Sequence, residues 1–288
     1  IRFKDATGLD VILQEDSIIR VVGSSNQLQD GDVTIQDEDA NQIFTARINY
    51  FTGEVVRSRS SGFGGDDIGI YVDLFADNDI VIIGTTAQRE SSEGRNVYVL
   101  PISNNGSPLD GSVVTLNVDG AIDFNESVLD VFKRPNGYVI TGLSSRGGAQ
   151  VPYFINVNYS GQGNAVVSQA TSIPISAEVT SGGETSNQNL DGFASSIVLG
   201  ENGNYYLAGA IPQFPDKNGE IVIMQIDQLG NLIEGSVRNY GLASGSDRAN
   251  EILLLPDGSL LVLSTVDFGN DATLIGLMKV NQNGDLMD

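Results

Sequence analysis

The side chains in this 288-residue chain that could move protons or hold cations are carboxylates. Asp and Glu number 37 against 15 Lys and Arg, a net charge of −22, and the chain contains no His and no Cys. That removes thiol nucleophiles, disulfides, imidazole acid–base relays and the usual zinc sites. So acidic a surface repels nucleic acid, whose binding needs groups that neutralise phosphates. It suits solubility, cation binding or a basic partner, and solubility is the plainest reading. Trp is absent too, which weakens stacking on sugar rings, although 9 Tyr and 11 Phe could substitute.

Five aspartates recur: Asp5, Asp67, Asp123, Asp191 and Asp247, each 17–19 residues before the end of a strand pattern described below. Brought together by five-fold symmetry, they would form a ring of carboxylates at the mouth of a central channel. Such a ring could hold Ca²⁺ or another hard cation, directly or through water. The competing reading is that each Asp bonds nearby backbone N–H groups and fixes its own loop, and this is favoured because Asp is a common turn residue. Asp30, Asp32, Asp37, Glu38 and Asp39 form a second acidic cluster. Its spacing does not match an EF-hand loop, so it reads as a solvated loop.

The elements that must position these groups come in repeats. A β-rich run ending in Gly and a small residue occurs as IIRVVGS (18–24), IVIIGT (80–85), YVITGL (138–143) and YYLAGA (205–210). The fifth copy, LLVLST (260–265), has Ser264 where the others have Gly23, Gly84, Gly142 and Gly209. A second marker stays in step: a strand running into a tight turn that closes on Gly53, Gly106, Gly161, Gly230 or Gly284. Pro-Asp-Gly at 256–258 and Pro-Asn-Gly at 135–137 are turn signals between the first two strands of a unit. Helical periodicity is absent.

This predicts an all-β five-bladed β-propeller in one domain, with four-stranded antiparallel blades at 7–62, 63–120, 121–176, 190–241 and 247–288. The last unit lacks most of a fourth strand. Residues 1–4 are expected to supply it, bringing Phe3 beside Met278 and closing the ring. The turns between first and second, and third and fourth, strands are tight. The opposite loops are long: 24–41, 85–96, 210–220 and, longest, 172–190. Long loops are often functional, which points to a binding face on that side. Phe214, in IPQFPD, is the best candidate for an exposed contact aromatic there. Tyr71, Tyr153, Phe193 and Phe268 are others, unless they pack in the core.

The repeat resembles the SBBP-type propeller repeats of bacterial extracytoplasmic and cell-surface proteins. FGGDDIGIYV at 63–72, DRANEILLLPDGSLLVLS at 247–264 and LIGLMKVNQNGDL at 274–286 carry the resemblance. It implies the propeller fold and an envelope or secreted setting, often as a lipoprotein or part of a larger surface protein, but no single activity. The chain starts at Ile1 and not at Met, so a targeting segment is expected upstream.

Two functions follow. One is a non-catalytic extracytoplasmic binding or scaffolding module, monomeric, that recognises protein or glycan through the long loops with Asp67, Asp123, Asp191, Asp247 and Phe214. The alternative is a glycosidase acting through carboxylates at the same mouth, among them Asp67, Asp123 and Asp191. That chemistry needs an acid and a base in unlike environments, and equivalent repeat positions disfavour it.

Overall fold

A computed structural model describes residues 3–15, 17–28, 41–62, 65–74, 79–88, 94–104, 106–109, 114–120, 125–146, 148–159, 165–181, 184–214, 217–241, 245–269 and 272–287. Short apolar runs that alternate with turn residues become strands. The first sheet is β1 (Phe3–Glu15), β2 (Ile18–Leu28), β3 (Gln42–Asn49) and β4 (Val55–Ser61), in that order. The second is β5 (Gly65–Leu74), β6 (Ile80–Gln88), β7 (Arg95–Ile102) and β8 (Val114–Leu116). The third is β9 (Asn125–Arg134), β10 (Gly137–Arg146), β11 (Ala149–Tyr159) and β12 (Ala165–Ser172). A hairpin follows, β13 (Ile175–Ser181) with β14 (Glu184–Leu190). Then come β15 (Phe193–Leu199), β16 (Tyr205–Phe214), β17 (Lys217–Ile226) and β18 (Arg238–Tyr240). The last sheet has three strands, β19 (Arg248–Leu254), β20 (Leu260–Asp267) and β21 (Thr273–Val280). Neighbouring strands pair antiparallel, as short turns dictate.

Contacts divide the chain into two units: Ile1–Val128 with Asn158–Val167, and Leu129–Val157 with Ser168–Asp288. In the first unit, Val22 and Ile43 of the first sheet pack on Val72, Ile80, Ile82 and Tyr98 of the second. In the second unit, Ala208, Ile221 and Ile223 pack on Ile252, Val262 and Met278 of the last sheet. Each of the larger aliphatic side chains contributes about 1.5–3 kcal/mol on burial, so apolar faces hold the sheets together. The Lys279–Asp257 pair, at 2.8 Å, is too exposed to add much.

The two sequence markers have physical causes. A Cβ on Gly23, Gly84 or Gly209 would fall 1.9, 1.9 or 1.8 Å from the carbonyl oxygen of Thr7, Ile68 or Phe193. In these three sheets the first strand crosses too close for any side chain. In the last sheet Ser264 pairs with Gly276, where an added Cβ would lie 2.5 Å from the Ser264 Oγ. Glycine on the third strand therefore makes room for the serine. The turn glycines Gly53, Gly106, Gly230 and Gly284 have φ of 69°, 87°, 81° and 84°, which L side chains resist.

Three expectations are corrected. Phe3 and Lys4 do not pair with β21; they extend β1 and pair with Leu28 and Gln27 of β2. Residues 1 and 2 lie outside the described residues. The long β2 offers a partner one turn away, at a smaller chain-closure cost than a strand more than 250 residues distant. Residues 172–190 are largely a hairpin, with Val179 opposite Ser186, because alternating runs flank Gly182-Gly183. Residues 210–220 are mostly strand as well, with β16 and β17 paired out to Phe214 and Lys217.

Replacing Gly84 or Gly209 with Ala should destabilise the fold by about 2 kcal/mol or more, because the obstacle is backbone that cannot rotate away. Urea denaturation would measure it, and an unchanged midpoint would refute the close-approach account.

Candidate functional site

The first strands carry a shared irregularity. Pairing skips a residue between Gly8 and Asp10 in β1, Gly69 and Tyr71 in β5, Ala194 and Ser196 in β15, and Ala249 and Glu251 in β19. Such a bulge re-aims the side chain that follows it. The residues after the bulge are Asp10, Tyr71, Ser196 and Glu251. In β9 the matching residue is Asp130, five before Pro135 as Glu251 is five before Pro256.

Asp10 and Asp130 make the same bonds. Asp10 accepts from the N–H of Val11 and of Val72, each at 2.8 Å. Asp130 accepts from Val131 N–H at 2.7 Å and from Ile197 N–H at 2.8 Å. Each carboxylate thus ties its own strand to the first strand of the next sheet. Their neighbours differ. Tyr71 stands next to Asp10 in the repeat, whereas Asp130 is followed by Ser196 and Glu251.

Ser196 Oγ lies 2.9 Å from Asp130 Oδ2 and 3.1 Å from Glu251 Oε1. The two carboxyl oxygens are therefore within about 6 Å of each other, compatible with the ~5–5.5 Å separation of a retaining glycosidase pair. One hydroxyl carries one hydrogen. Donating it to Asp130, already held by two backbone N–H groups, Ser196 turns a lone pair toward Glu251. The contact is satisfied when Glu251 carries a proton.

Burial raises the pKa of Asp130, opposed by its bonds from Ile197, Ser196 and Val131. Burial also raises that of Glu251, and the charge of Asp130 raises it further. Two like charges this close cannot both ionise at ordinary cost. Asp130 has the donors that favour the anion, and Glu251, the more exposed of the two, has Ser196 as its partner among the described residues. The arrangement is two carboxyl groups in unlike environments joined by a hydroxyl.

The residues expected from sequence lie elsewhere. Asp67 and Asp247 are both buried, two residues before the bulge partner of the marker glycine or serine. Their backbone N–H groups donate to equivalent carbonyls, Asn41 O and Gly219 O, each at 2.9 Å. The Asp247 carboxylate accepts from Asp267 N–H at 2.9 Å. The matching residue of β9 is Glu126, nine before Pro135 as Asp247 is nine before Pro256, and not Asp123, which lies outside the described residues. Asp191 is exposed, one residue earlier in the repeat, and accepts from Gln150 N–H at 3.3 Å. Asp5 is in β1, and the backbone of Phe214 pairs with Lys217; their side chains lie outside the described residues, as does the cluster at 30–39. Among the described residues, no three acidic side chains gather as a metal site. Tyr153 is core, Tyr71 and Phe193 are half-buried, and Phe268 is exposed. Sequence inspection missed Asp130 and Glu251. Aligning units on the Pro-Asn-Gly and Pro-Asp-Gly turns would have found both.

No protein-family model matches the chain, and neither does any curated protein. Solved structures do. An ulvan lyase of polysaccharide lyase family PL25, bound to -[GlcA(1-4)Rha3S]-, is 12% identical with a TM-score of 0.57, covering 95% of this chain and 67% of that one. A second structure of a PL25 ulvan lyase is 11% identical at TM-score 0.56, with the same coverage. An α-L-arabinofuranosidase from Lactobacillus brevis is 10% identical at TM-score 0.45, covering 98% of this chain and 94% of that one. The fold is all-β and propeller-like. The expectation of a non-catalytic binding or scaffolding module is corrected here: the structures matched at a TM-score above 0.5 are those of an enzyme, a polysaccharide lyase, and Asp130 and Glu251 meet in unlike environments. Among the described residues no helix is long and apolar enough to cross a membrane.

Glu126 supplies a test of the buried acids. Its Oε1 accepts from Val118 N–H at 3.3 Å, and burial pushes its pKa up to about 7, with a further push from Asp119. The folded state therefore holds a proton that the unfolded chain releases, and stability falls as pH rises from about 4.5 to about 7. Glu126→Gln should remove that loss, gaining about 2 kcal/mol over the parent above pH 7 once solvent screening is allowed for. Denaturation at pH 5 and pH 8 checks it; parallel curves for parent and variant would refute it.

Proposed function

We propose that this chain hydrolyses glycosidic bonds, with Glu251 as general acid and Asp130 as its ionised partner. The observation that carries this is the single Ser196 hydroxyl held between two carboxyl groups in unlike environments. Glycoside hydrolysis needs such a pair. Glu251 would protonate the leaving oxygen as the bond to the anomeric carbon breaks. Asp130 would take up the positive charge that develops there, forming a glycosyl ester that water then cleaves while Glu251 regains its proton.

A repeat built into a propeller supports the same reading. We take the first three sheets, the β15–β18 sheet and the β19–β21 sheet as five blades, with β13–β14 inserted between the third and fourth. The repeat's similarity to SBBP-type proteins supports work outside the cytoplasm, where polysaccharides are met. The charge of −22 bears on the substrate. A glucuronate-containing chain like that in the ulvan lyase complex would be repelled, so a neutral glycan fits better. Hydrolysis also suits the groups present better than elimination does, because no His is available as a base.

Glu251→Gln should lower kcat on a cleavable neutral polysaccharide by about 100-fold or more, with KM little changed. Activity should fall as pH rises through the raised Glu251 pKa. Because the Ser196 bond lowers the pKa of both carboxyl groups, Ser196→Ala should move that alkaline limb upward. Full activity in Glu251→Gln, or an unsaturated product at the cut end, would overturn the assignment.

A further inference from the structure

The second sheet carries a row of polar side chains where the last sheet has apolar ones. Asp67 of β5 pairs with Thr86 of β6, and Thr86 pairs with Asn96 of β7. Val97 pairs with Leu116, so Asn117 continues the row beyond Asn96. Residues opposite one another in a ladder point to the same face of the sheet. Thr85 points to the other face, where its Oγ1 accepts from Val128 N–H at 3.1 Å. Tyr98, two residues after Asn96, shares the face of the row. Burial holds its pKa well above the usual value, and the charge of Asp67 raises it further, which sets the carboxylate on this side.

Asp67, Thr86 and Asn96 are 0%, 1% and 3% exposed. Thr86 Oγ1, Asn96 Oδ1 and Asn117 Oδ1 are shut off from solvent and make no hydrogen bond among the described residues. A polar oxygen stripped of water without a new partner is costly, and here three such oxygens stand in one row with a carboxylate. A single water has two hydrogens to donate, fewer than the carboxylate and two amide oxygens require. One hard cation satisfies them together, because carboxylate, hydroxyl and amide oxygens are its preferred ligands. The spacing fits. Two strand spacings put Asp67 and Asn96 about 9.6 Å apart on either side of Thr86, and a cation above Thr86 with oxygens at about 2.4 Å lies within reach of both.

We propose that Asp67, Thr86 and Asn96 bind one Ca²⁺ ion, with Asn117 holding a water of its shell. The neutral oxygens, and not the acid, set this place apart. Thr86 follows the marker Gly84 by two residues, as Val266 follows Ser264, and Val266 pairs with Leu274. Asp247, the matching acid of the last sheet, accepts from Asp267 N–H instead. With one charged ligand the affinity should be modest, at about 10⁻⁴–10⁻³ M. After treatment with EGTA, the full chain should melt about 3 °C or more higher in 10 mM CaCl₂ than in NaCl of equal ionic strength. The double variant Thr86→Val, Asn96→Leu copies the last sheet. It should melt no lower than the parent in EGTA and lose the calcium shift. Asn96→Asp adds a charged ligand, and isothermal titration should find calcium bound about 10-fold more tightly than by the parent. A parent with one melting temperature in both salts would overturn the proposal and leave water to fill the row. A double variant that keeps the full shift would overturn it by putting the ion elsewhere, and so would an Asn96→Asp chain that binds calcium no more tightly.

Discussion

A carbonyl oxygen of the first strand sits where a side chain would begin on the second. That contact, at Gly23, Gly84 and Gly209, constrains three of the sheets, while the last sheet carries Ser264 there and accommodates it with Gly276 on the neighbouring strand. The first strand bulges one residue later, between Gly8 and Asp10, Gly69 and Tyr71, and Ala194 and Ser196. The bulge turns the next side chain out of its regular position and toward the following sheet. Asp10 and Asp130 use that direction to cap backbone N–H groups across the gap. A steric rule for glycine thus ends as a placement rule for carboxylates.

The same rule explains how function can arise in a repeated structure. Equivalent positions begin with equivalent environments, which suits scaffolding and not acid–base chemistry. At the position after the bulge the side chains have diverged into Asp, Tyr, Asp, Ser and Glu. Where Tyr71 follows Asp10, the next sheet presents a phenol at that position. Where Ser and Glu follow Asp130, two acids share a hydroxyl and their proton affinities rise together. The chemistry comes from the difference between repeats, while the backbone common to them supplies the geometry.

Burial of acids is a second consequence of a chain with few cations. Asp67, Glu126 and Asp247 occupy one repeat position at the start of the first strands and are buried there. Asp247 and Glu126 are held by backbone N–H groups. Hydrogen bonding offsets part of the desolvation, and for Glu126 the remainder appears as a retained proton. These acids stabilise loops and strand entries more readily than they gather a cation.

The sequence by itself determined the strands, their turns and their repeat. Positive φ at Gly53 or Gly284, and the absence of space at Gly84, leave glycine at fixed intervals whatever the distant packing does. It also excluded imidazole and thiol chemistry by composition alone. It could not fix which carboxylates meet. Asp130 and Glu251 are far apart along the chain, and their approach depends on sheet packing and on bulges that shift the register by one residue. The count from the marker glycines therefore pointed to Asp123, while the count from the Pro135 and Pro256 turns points to Glu126 and Asp130. The partner of residues 3 and 4 was likewise a tertiary outcome, because β2 and β21 both offer strand edges and only chain closure distinguishes them.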